Sequence, residues 1–198
     1  MAAVNNNAPF KTARELVDYA RANPGKVSFG SSGNGSAAHL TTELFKAITK
    51  TFMVHIPYRG AGPALNDTVA GQVPMIFDNM PSAMPFIQSN RLVPIVVAAP
   101  QRLSQLPNVP TFAELGYKSF EPMGWHGLFL PAGAPPAVAQ KIANEVSNIL
   151  RMPDVLAKLK TLGVIAGGGT PEEFAQQIKA DAPVYAEIAK AANIRLTQ

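Results

Sequence analysis

Apolar residues along this chain alternate between segments with a helical period and short, continuous apolar runs. The continuous runs lie near residues 27–30, 52–56, 73–77 and 92–99, and they predict strands separated by helices. Because strands without polar alternation are buried on both faces, this order is typical of a mainly parallel sheet covered by helices. The sequence therefore predicts an α/β fold.

Capping signals indicate where the predicted helices begin and end. Thr12 and Glu15 form a capping box for the first helix, which should end near residues 23–25, Asn-Pro-Gly. Gly60 and Pro63 begin a later helix, since proline is tolerated where first-turn N–H groups have no helical partner.

The pattern changes after residue 110. Thr111 and Glu114 predict a short capped helix, and residues 120–130 predict a long extended segment. Three helices with apolar faces follow, beginning near Pro136, Pro153 and Thr170. No further strands accompany them, so we expect these helices to need a partner surface.

Composition narrows the class of protein. Of 198 residues, 47% are hydrophobic and 15% are charged, which is typical of a globular domain rather than a disordered chain. The net charge of +4 suits acidic solutes, but the basic residues form no stripe with aromatics, so we predict no nucleic-acid partner. The absence of cysteine excludes disulfides, thiolate metal sites and thiol catalysis. No apolar run approaches the ~20 residues that span a bilayer, and the first residues lack a signal-peptide pattern.

The most informative segment is the glycine loop, residues 31–36, between a predicted strand and a predicted helix. Main-chain N–H groups and hydroxyls at the positive end of a helix bind anions. We therefore predict that a small acid contacts Ser31, Ser32, Gly33, Asn34, Gly35 and Ser36.

Other interpretations of the glycine loop stay open. Its spacing resembles a dinucleotide fingerprint, but no acidic residue follows about 20 positions later, where His55 to Tyr58 stand. It also lacks the last glycine of a nucleophile elbow. A plain turn capped by Ser36 is one alternative, and a hydrolase that uses Ser32 or Ser36 is another.

Two further predicted strands end in candidate binding residues at the same sheet edge, where α/β proteins bind ligands. Tyr58 and Gly60 follow one strand, and Asp78 follows the next. Asp78 would either accept a hydrogen bond from a ligand amine or hydroxyl, or cap the helix that follows.

The remaining candidate residues have less specific interpretations. The three histidines lack metal-site spacing, and a pairing such as Ser32 with His39 is not excluded. Trp125 would belong either to a core or to an aromatic wall of a cleft.

Eight segments in order carry a family resemblance: ARANPGK (20–26), SFGSSGNGS (28–36), HL (39–40), IPYRG (56–60), FDNMPS (77–82), LPNVPT (106–111), GLFLPA (127–132) and TPEEF (170–174). Through them, essentially the whole chain resembles the solute receptors of tripartite tricarboxylate transporters, the Bug or TctC family. The resemblance implies a periplasmic binding protein type II-like lobe with a mainly parallel sheet, followed by helices of an incomplete second lobe. Residues 1–121 would form the ligand-binding lobe, and 122–198 a crossing strand with C-terminal helices.

The resemblance also implies a function. The glycine loop with His39, Tyr58, Gly60 and Asp78 would line a cleft for a small di- or tricarboxylate or a related organic acid. Such a receptor is periplasmic, is not an enzyme, needs no cofactor, and passes its solute to the membrane subunits of a tripartite transporter. Most of the family's first lobe has no counterpart here. We therefore expect weak binding by the isolated chain and a homo-oligomer formed through exposed C-terminal helices.

Overall fold

The computed structural model describes residues 1–117 and 124–194. In chain order its regular elements are β1 (Ala2–Asn5), α1 (Ala13–Ala22), β2 (Ser28–Ser31), α2 (Ala37–Thr49), β3 (Val54–Pro57), α3 (Ala61–Ala70), β4 (Met75–Phe77), α4 (Met80–Gln88), β5 (Leu92–Val96), α5 (Pro136–Ile149), α6 (Pro153–Thr161) and α7 (Pro171–Ala191).

The chain forms two compact units. The first comprises Met1–Gly124 with Ile188–Gln198 and contains all the strands named above together with α1 to α4. The second, Trp125–Glu187, contains α5, α6 and most of α7. The domain boundary predicted between residues 121 and 122 lies outside the described residues and stays a prediction.

The first unit is built on a five-stranded sheet in the order β3-β2-β4-β1-β5. β2 pairs in parallel with both β3 and β4, whereas β1 is antiparallel to β4 and β5. Four strands therefore run in one direction, which confirms the mainly parallel sheet. β1 itself was not predicted, because its four buried residues show no alternation and no turn precedes them.

Helices cover both faces of this sheet. Met75 and Phe77 of β4 pack in one apolar core with residues of α1 and α2, while Ile76 between them packs with α3 and α4. Each fully buried side chain of this size contributes about 1.5–3 kcal/mol through the apolar surface removed from water. Burial on both faces explains why a strand such as β4 appears in the sequence as a continuous apolar run. The edge strand β3 is an exception, because its residues are half-buried or exposed.

The prediction of a short helix after Thr111 is wrong. The reciprocal capping bonds do form, since Glu114 N donates to Thr111 Oγ1 at 3.2 Å and Thr111 N donates to Glu114 Oε2 at 2.8 Å. The chain nevertheless makes only turns, because Gly116 adopts a φ of 90° and ends the segment before a second helical turn. The capping signal was real, but the segment was too short for a helix.

The extended segment predicted at 120–130 lies partly outside the described residues. Its described part, 124–130, belongs to no strand. Here Trp125 packs edge-on against Phe174, with ring centroids 5.0 Å apart, and its Nε1 donates to Asp181 Oδ2 at 2.8 Å. Trp125 stays 39% exposed, so it belongs to a surface aromatic cluster of the second unit rather than to a core.

The helices predicted for the second unit are confirmed, and their need for a partner surface stays a prediction. No described residue from 125 to 187 is buried. The large apolar side chains that stay exposed on and beside α5 and α6 include Val138, Ile149, Met152 and Leu156. None of the described helices is both long enough and apolar enough to cross a bilayer.

Candidate functional site

Three helices of the first unit begin at one edge of the sheet. α2, α3 and α4 follow the parallel strands β2, β3 and β4, with Ser36, Gly60 and Asn79 as their N-cap residues. Because parallel strands end at the same edge, the positive ends of the three helix dipoles lie there together. We call this the carboxyl edge of the sheet.

Two of these three helix N-termini have no side-chain cap. Neither Gly60 nor Asn79 accepts a hydrogen bond from its own helix through a side chain. Gly60 adopts a φ of 109°, a conformation that side chains disfavour, and open space surrounds the Cβ positions of both Gly60 and Gly62. Neither Gly60 nor Gly62 therefore covers the first-turn N–H groups of α3 with a side chain.

The glycine loop holds part of its own backbone. Gly33 N donates to Ser31 Oγ at 3.1 Å, Gly35 N to His39 Nδ1 at 3.2 Å, and Ser36 N to Gly33 O at 3.2 Å. Ser36 also caps α2 by accepting from His39 N at 3.2 Å. These amides are satisfied within the protein and are not available to a ligand.

Two other amides of the glycine loop have no partner within the described part of the protein. Among the described residues, the N–H groups of Ser32 and Asn34 have no hydrogen-bond acceptor. That a small acid contacts residues 31–36 stays a prediction, and these two amides are the donors of the loop that the described residues leave without a partner.

Ser31 lies beneath the glycine loop. Its side chain is fully buried, and its Oγ lies 2.6 Å from Nε2 of His55 on the neighbouring strand β3. The His55 ring stacks on Phe29 at 4.9 Å and on His39 at 3.7 Å between centroids. A serine and a histidine at hydrogen-bond distance resemble a catalytic pair, but a fully buried Oγ cannot reach a substrate carbonyl.

Burial, with smaller contributions from the adjacent His39 and from Lys46, lowers the pKa of His55 to about 4, while Glu43 opposes the shift. Glu43 Oε1 lies 3.7 Å from His39 Nε2 and 2.6 Å from Lys46 Nζ. His55 is therefore neutral near pH 7. Sequence reasoning missed His55 as a candidate, because only the strand pairing brings it beside Ser31.

Tyr58 and Gly60 attach the second loop to the first. Tyr58 N donates to Ser31 O at 3.1 Å, and Gly60 N donates to Ser32 O at 3.2 Å. The Tyr58 hydroxyl donates to Asp67 Oδ2 at 2.8 Å, and burial together with this carboxylate raises the pKa of Tyr58 to about 12. The Tyr58 hydroxyl therefore already donates its proton to a hydrogen bond within the protein.

Asp78 follows β4 at the carboxyl edge and is only 6% exposed. Its Oδ2 is buried and has no hydrogen-bond partner among the described residues. Burial raises the pKa of this carboxyl above its ordinary value, although the Asn79 amide, the Met1 amino group and Ser82 act in the opposite direction. A buried carboxyl oxygen without a partner is costly, so this position favours a group that can share a proton with it.

The ten residues predicted for the site thus fall into two sets. Ser32 and Asn34 lie at the carboxyl edge with amides that have no partner among the described residues, Asp78 lies there with a buried carboxyl oxygen that has none, and Gly60 lies there with open space at its Cβ position although its N–H is bonded to Ser32 O. Ser31 and His39 lie beneath the loop, and the amides of Gly33, Gly35 and Ser36 and the hydroxyl of Tyr58 are bonded within the protein. The described residues contain no group of three His, Asp or Glu side chains that could hold a metal ion.

Comparison with known proteins shows which family this chain belongs to. The family described as the tripartite tricarboxylate transporter family receptor matches residues 2–193. The chain belongs to this family. A protein encoded in the tcbD-tcbE intergenic region of Pseudomonas sp. (strain P51) is 39% identical over 173 residues, which cover 87% of this chain and 52% of that protein.

Solved structures agree with the receptor fold. A structure described as a periplasmic transporter is 40% identical with a TM-score of 0.92, covering 99% of this chain and 65% of that one. An R. palustris protein solved with adipate is 30% identical with a TM-score of 0.91, covering 98% and 65%. The chain thus spans about half the length of the curated relative and about two thirds of these solved chains.

Membership of the tripartite tricarboxylate transporter receptor family argues against a hydrolase site in the glycine loop. Its members are solute-binding receptors and not enzymes. The hydrolase alternative for the glycine loop is therefore not supported. The buried Ser31 next to His55 is a structural pair within a receptor fold.

Proposed function

We propose that this chain is part of a periplasmic receptor that captures a small carboxylate and delivers it to the membrane subunits of a tripartite transporter. The observation that carries the proposal is the convergence of three helix N-termini at the carboxyl edge, two of them without a side-chain cap. The receptor family and the adipate-bound relative support the same class of ligand.

The carboxyl edge suits a carboxylate for two physical reasons. Each helix N-terminus stabilises a nearby negative charge by about 0.3–1 kcal/mol, and more where the site is partly buried. Hydrogen bonds to a charged group add about 1.5–3 kcal/mol each, and the amides of Ser32 and Asn34 are the donors that we expect to make them. Several modest contributions thus add up to measurable affinity without any cationic side chain.

Asp78 restricts which acid fits. Its carboxyl must either share a proton with the bound carboxylate or accept a hydrogen bond from a ligand hydroxyl or amine. A dicarboxylate meets the first requirement, because one end lies at the helix N-termini and a proton is shared with Asp78. We therefore propose dicarboxylates of adipate size or smaller as the ligand class.

A matched pair of variants at Gly62 tests the proposal. The Cβ position there is open, so Gly62→Asp places a carboxylate in the first turn of α3 without a steric clash. This charge favours the helix but competes with a bound acid. Gly62→Asn has nearly the same shape without the charge.

Adipate binding would be measured by calorimetry and by the rise in melting temperature with ligand concentration. The wild type and Gly62→Asn should bind adipate, whereas Gly62→Asp should lose at least tenfold in affinity with no loss of melting temperature. Uncharged 1,6-hexanediol is the ligand control. Equal effects of adipate and hexanediol, or unchanged binding by Gly62→Asp, would contradict the proposal.

A further inference from the structure

We propose that His55 is a positioning residue, which holds the glycine loop (residues 31–36) in the conformation that leaves the Ser32 and Asn34 amides free for a carboxylate. The inference deepens the proposed function and rests on it for its ligand readout. His55 belongs to β3, outside the loop, and acts through Ser31 and His39.

The first connection runs through Ser31. His55 Nε2 lies 2.6 Å from Ser31 Oγ, and the same Oγ accepts from Gly33 N at 3.1 Å and lies 3.2 Å from Gly33 O. Both polar groups of Gly33 are thus oriented by one hydroxyl, which His55 holds in place. Gly33 adopts a φ of 132°, and its backbone at this turn depends on such support.

The second connection runs through His39. The His55 ring packs beside Phe29, its partner on the neighbouring strand, with centroids 4.9 Å apart, and against His39 with centroids 3.7 Å apart. His39 Nδ1 accepts from Gly35 N at 3.2 Å. The ring of His55 therefore supports the acceptor that orients the second glycine.

Together the two connections hold alternate amides of the loop. Gly33 N and Gly35 N are bonded to side chains that His55 contacts, and Ser32 N and Asn34 N are the neighbours that stay free. Preorganised donors bind a charge more tightly than donors that must first be ordered, because the ordering entropy is not lost on binding. Loss of His55 should therefore weaken acid binding without removing any group that touches the acid.

The protonation state of His55 is part of this role. The charged or titratable groups that face it are His39, Glu43 and Lys46, all on α2, while its β2 neighbours Ser31 and Phe29 carry no charge. A proton on His55 adds a positive charge against the His39 ring in a site from which water is partly excluded. We expect the loop to loosen as pH falls through about 4, the value to which burial lowers the pKa of His55.

Two variants separate the hydrogen bond from the stacking. His55→Phe keeps an aromatic ring in contact with Phe29 and His39 but cannot bond Ser31, whereas His55→Gln restores a polar group near the Nε2 position. His126→Phe, at an exposed histidine of the second unit, is the matched control.

The first readout needs no ligand. Amide hydrogen exchange followed by NMR should accelerate at least tenfold at Gly33 and Gly35 in His55→Phe, while the strand amides of β2 and β4 stay protected. His55→Gln should restore part of the protection, and His126→Phe should change neither glycine. Unchanged exchange at both glycines, or equal acceleration throughout the sheet, would overturn the inference.

The second readout is the adipate dissociation constant of His55→Phe divided by that of the wild type, measured from pH 7 to pH 4. The titration of adipate itself cancels in this ratio. We expect a ratio of at least five at pH 7 that decreases as pH approaches 4, where about half of the wild-type His55 carries a proton. A constant ratio would overturn the inference. If the wild type binds no acid, the proposed function fails, and the exchange of Gly33 and Gly35 still decides the role of His55.

Discussion

The imidazole rings of His39 and His55 stack with their centroids 3.7 Å apart and their planes inclined by 14°. His39 lies on α2 and His55 on β3, so the contact joins the helix that follows the glycine loop to the strand that pairs with β2. Burial disfavours a charge on His55, and the adjacent His39 adds to this effect. The folded state therefore favours a neutral His55.

This preference predicts how stability depends on pH. Since the pKa of His55 is lowered to about 4 in the folded state from 6.5, the unfolded chain binds the extra proton first. The stabilisation by neutral His55 is complete above pH 6.5 and is lost as pH falls from 6.5 towards 4. Thermal unfolding followed by circular dichroism should show this loss in the wild type and a flatter profile in His55→Phe. If His126→Phe flattens the profile equally, the effect does not come from His55.

Asp78 should have the opposite pH dependence. Its pKa is raised by burial above the ordinary 3.8, so the folded state favours the protonated carboxyl. Its contribution to stability is greatest below pH 3.8 and declines as pH rises through the raised pKa. Asp78→Asn should therefore raise the melting temperature by a few degrees at pH 7 and by less at pH 4.

A matched control and a ligand measurement sharpen the Asp78 prediction. Asp18→Asn alters an exposed aspartate on α1 and should leave the melting temperature nearly unchanged at both pH values. Asp78→Asn should also bind adipate more tightly at pH 7, by several-fold, because a like charge is removed and an amide N–H is supplied. Weaker adipate binding together with a lower melting temperature would show that ionised Asp78 is required.

The sequence analysis placed the sheet and its loops for a clear physical reason. Continuous apolar strands separated by helices must lie between two helical layers, and parallel strands must end at a common edge. This reasoning brought the glycine loop, Gly60 and Asp78 together without knowledge of the strand order. The family resemblance added the class of ligand that we expect.

The features that the sequence did not predict depend on how strands pair rather than on the period of apolar residues. β1 is short and wholly buried, so nothing in its four residues distinguishes a strand from a disordered start. His55 lies 24 residues after Ser31, and only the register of β2 against β3 brings them within hydrogen-bond distance. The sequence also did not show which loop amides are free, because the side chains of Ser31 and His39 accept hydrogen bonds from two of them.

Two glycines at the start of α3 give a stability prediction. Gly60 has a φ of 109°, whereas Gly62 lies in the helix, and the Cβ positions of both are open. Gly60→Ala should cost about 1–3 kcal/mol in the free energy of unfolding, because alanine disfavours that conformation. Gly62→Ala should instead stabilise by about 0.4–1 kcal/mol, because it restricts the unfolded chain. Chemical denaturation measures both changes, and a similar cost at the two positions would contradict the assignment to backbone strain.

The second unit leads to a prediction of self-association. None of its described residues is buried, although α5 and α6 each carry large apolar side chains. Contiguous exposed apolar surface is typical of an interface, and a second copy of this chain is the partner present in any purified sample. We expect light scattering after size-exclusion chromatography to show a dimer or larger species whose share grows with concentration.

Charge substitutions locate that interface. Ile149→Lys combined with Leu156→Lys should shift the population towards monomer, because an unpaired charge would have to be desolvated in the contact. Phe52→Lys, at an exposed apolar position of the first unit, is the matched control and should leave the distribution unchanged. A monomer at every concentration would show that these helix faces tolerate water, and dissociation by Phe52→Lys alone would move the interface to the first unit.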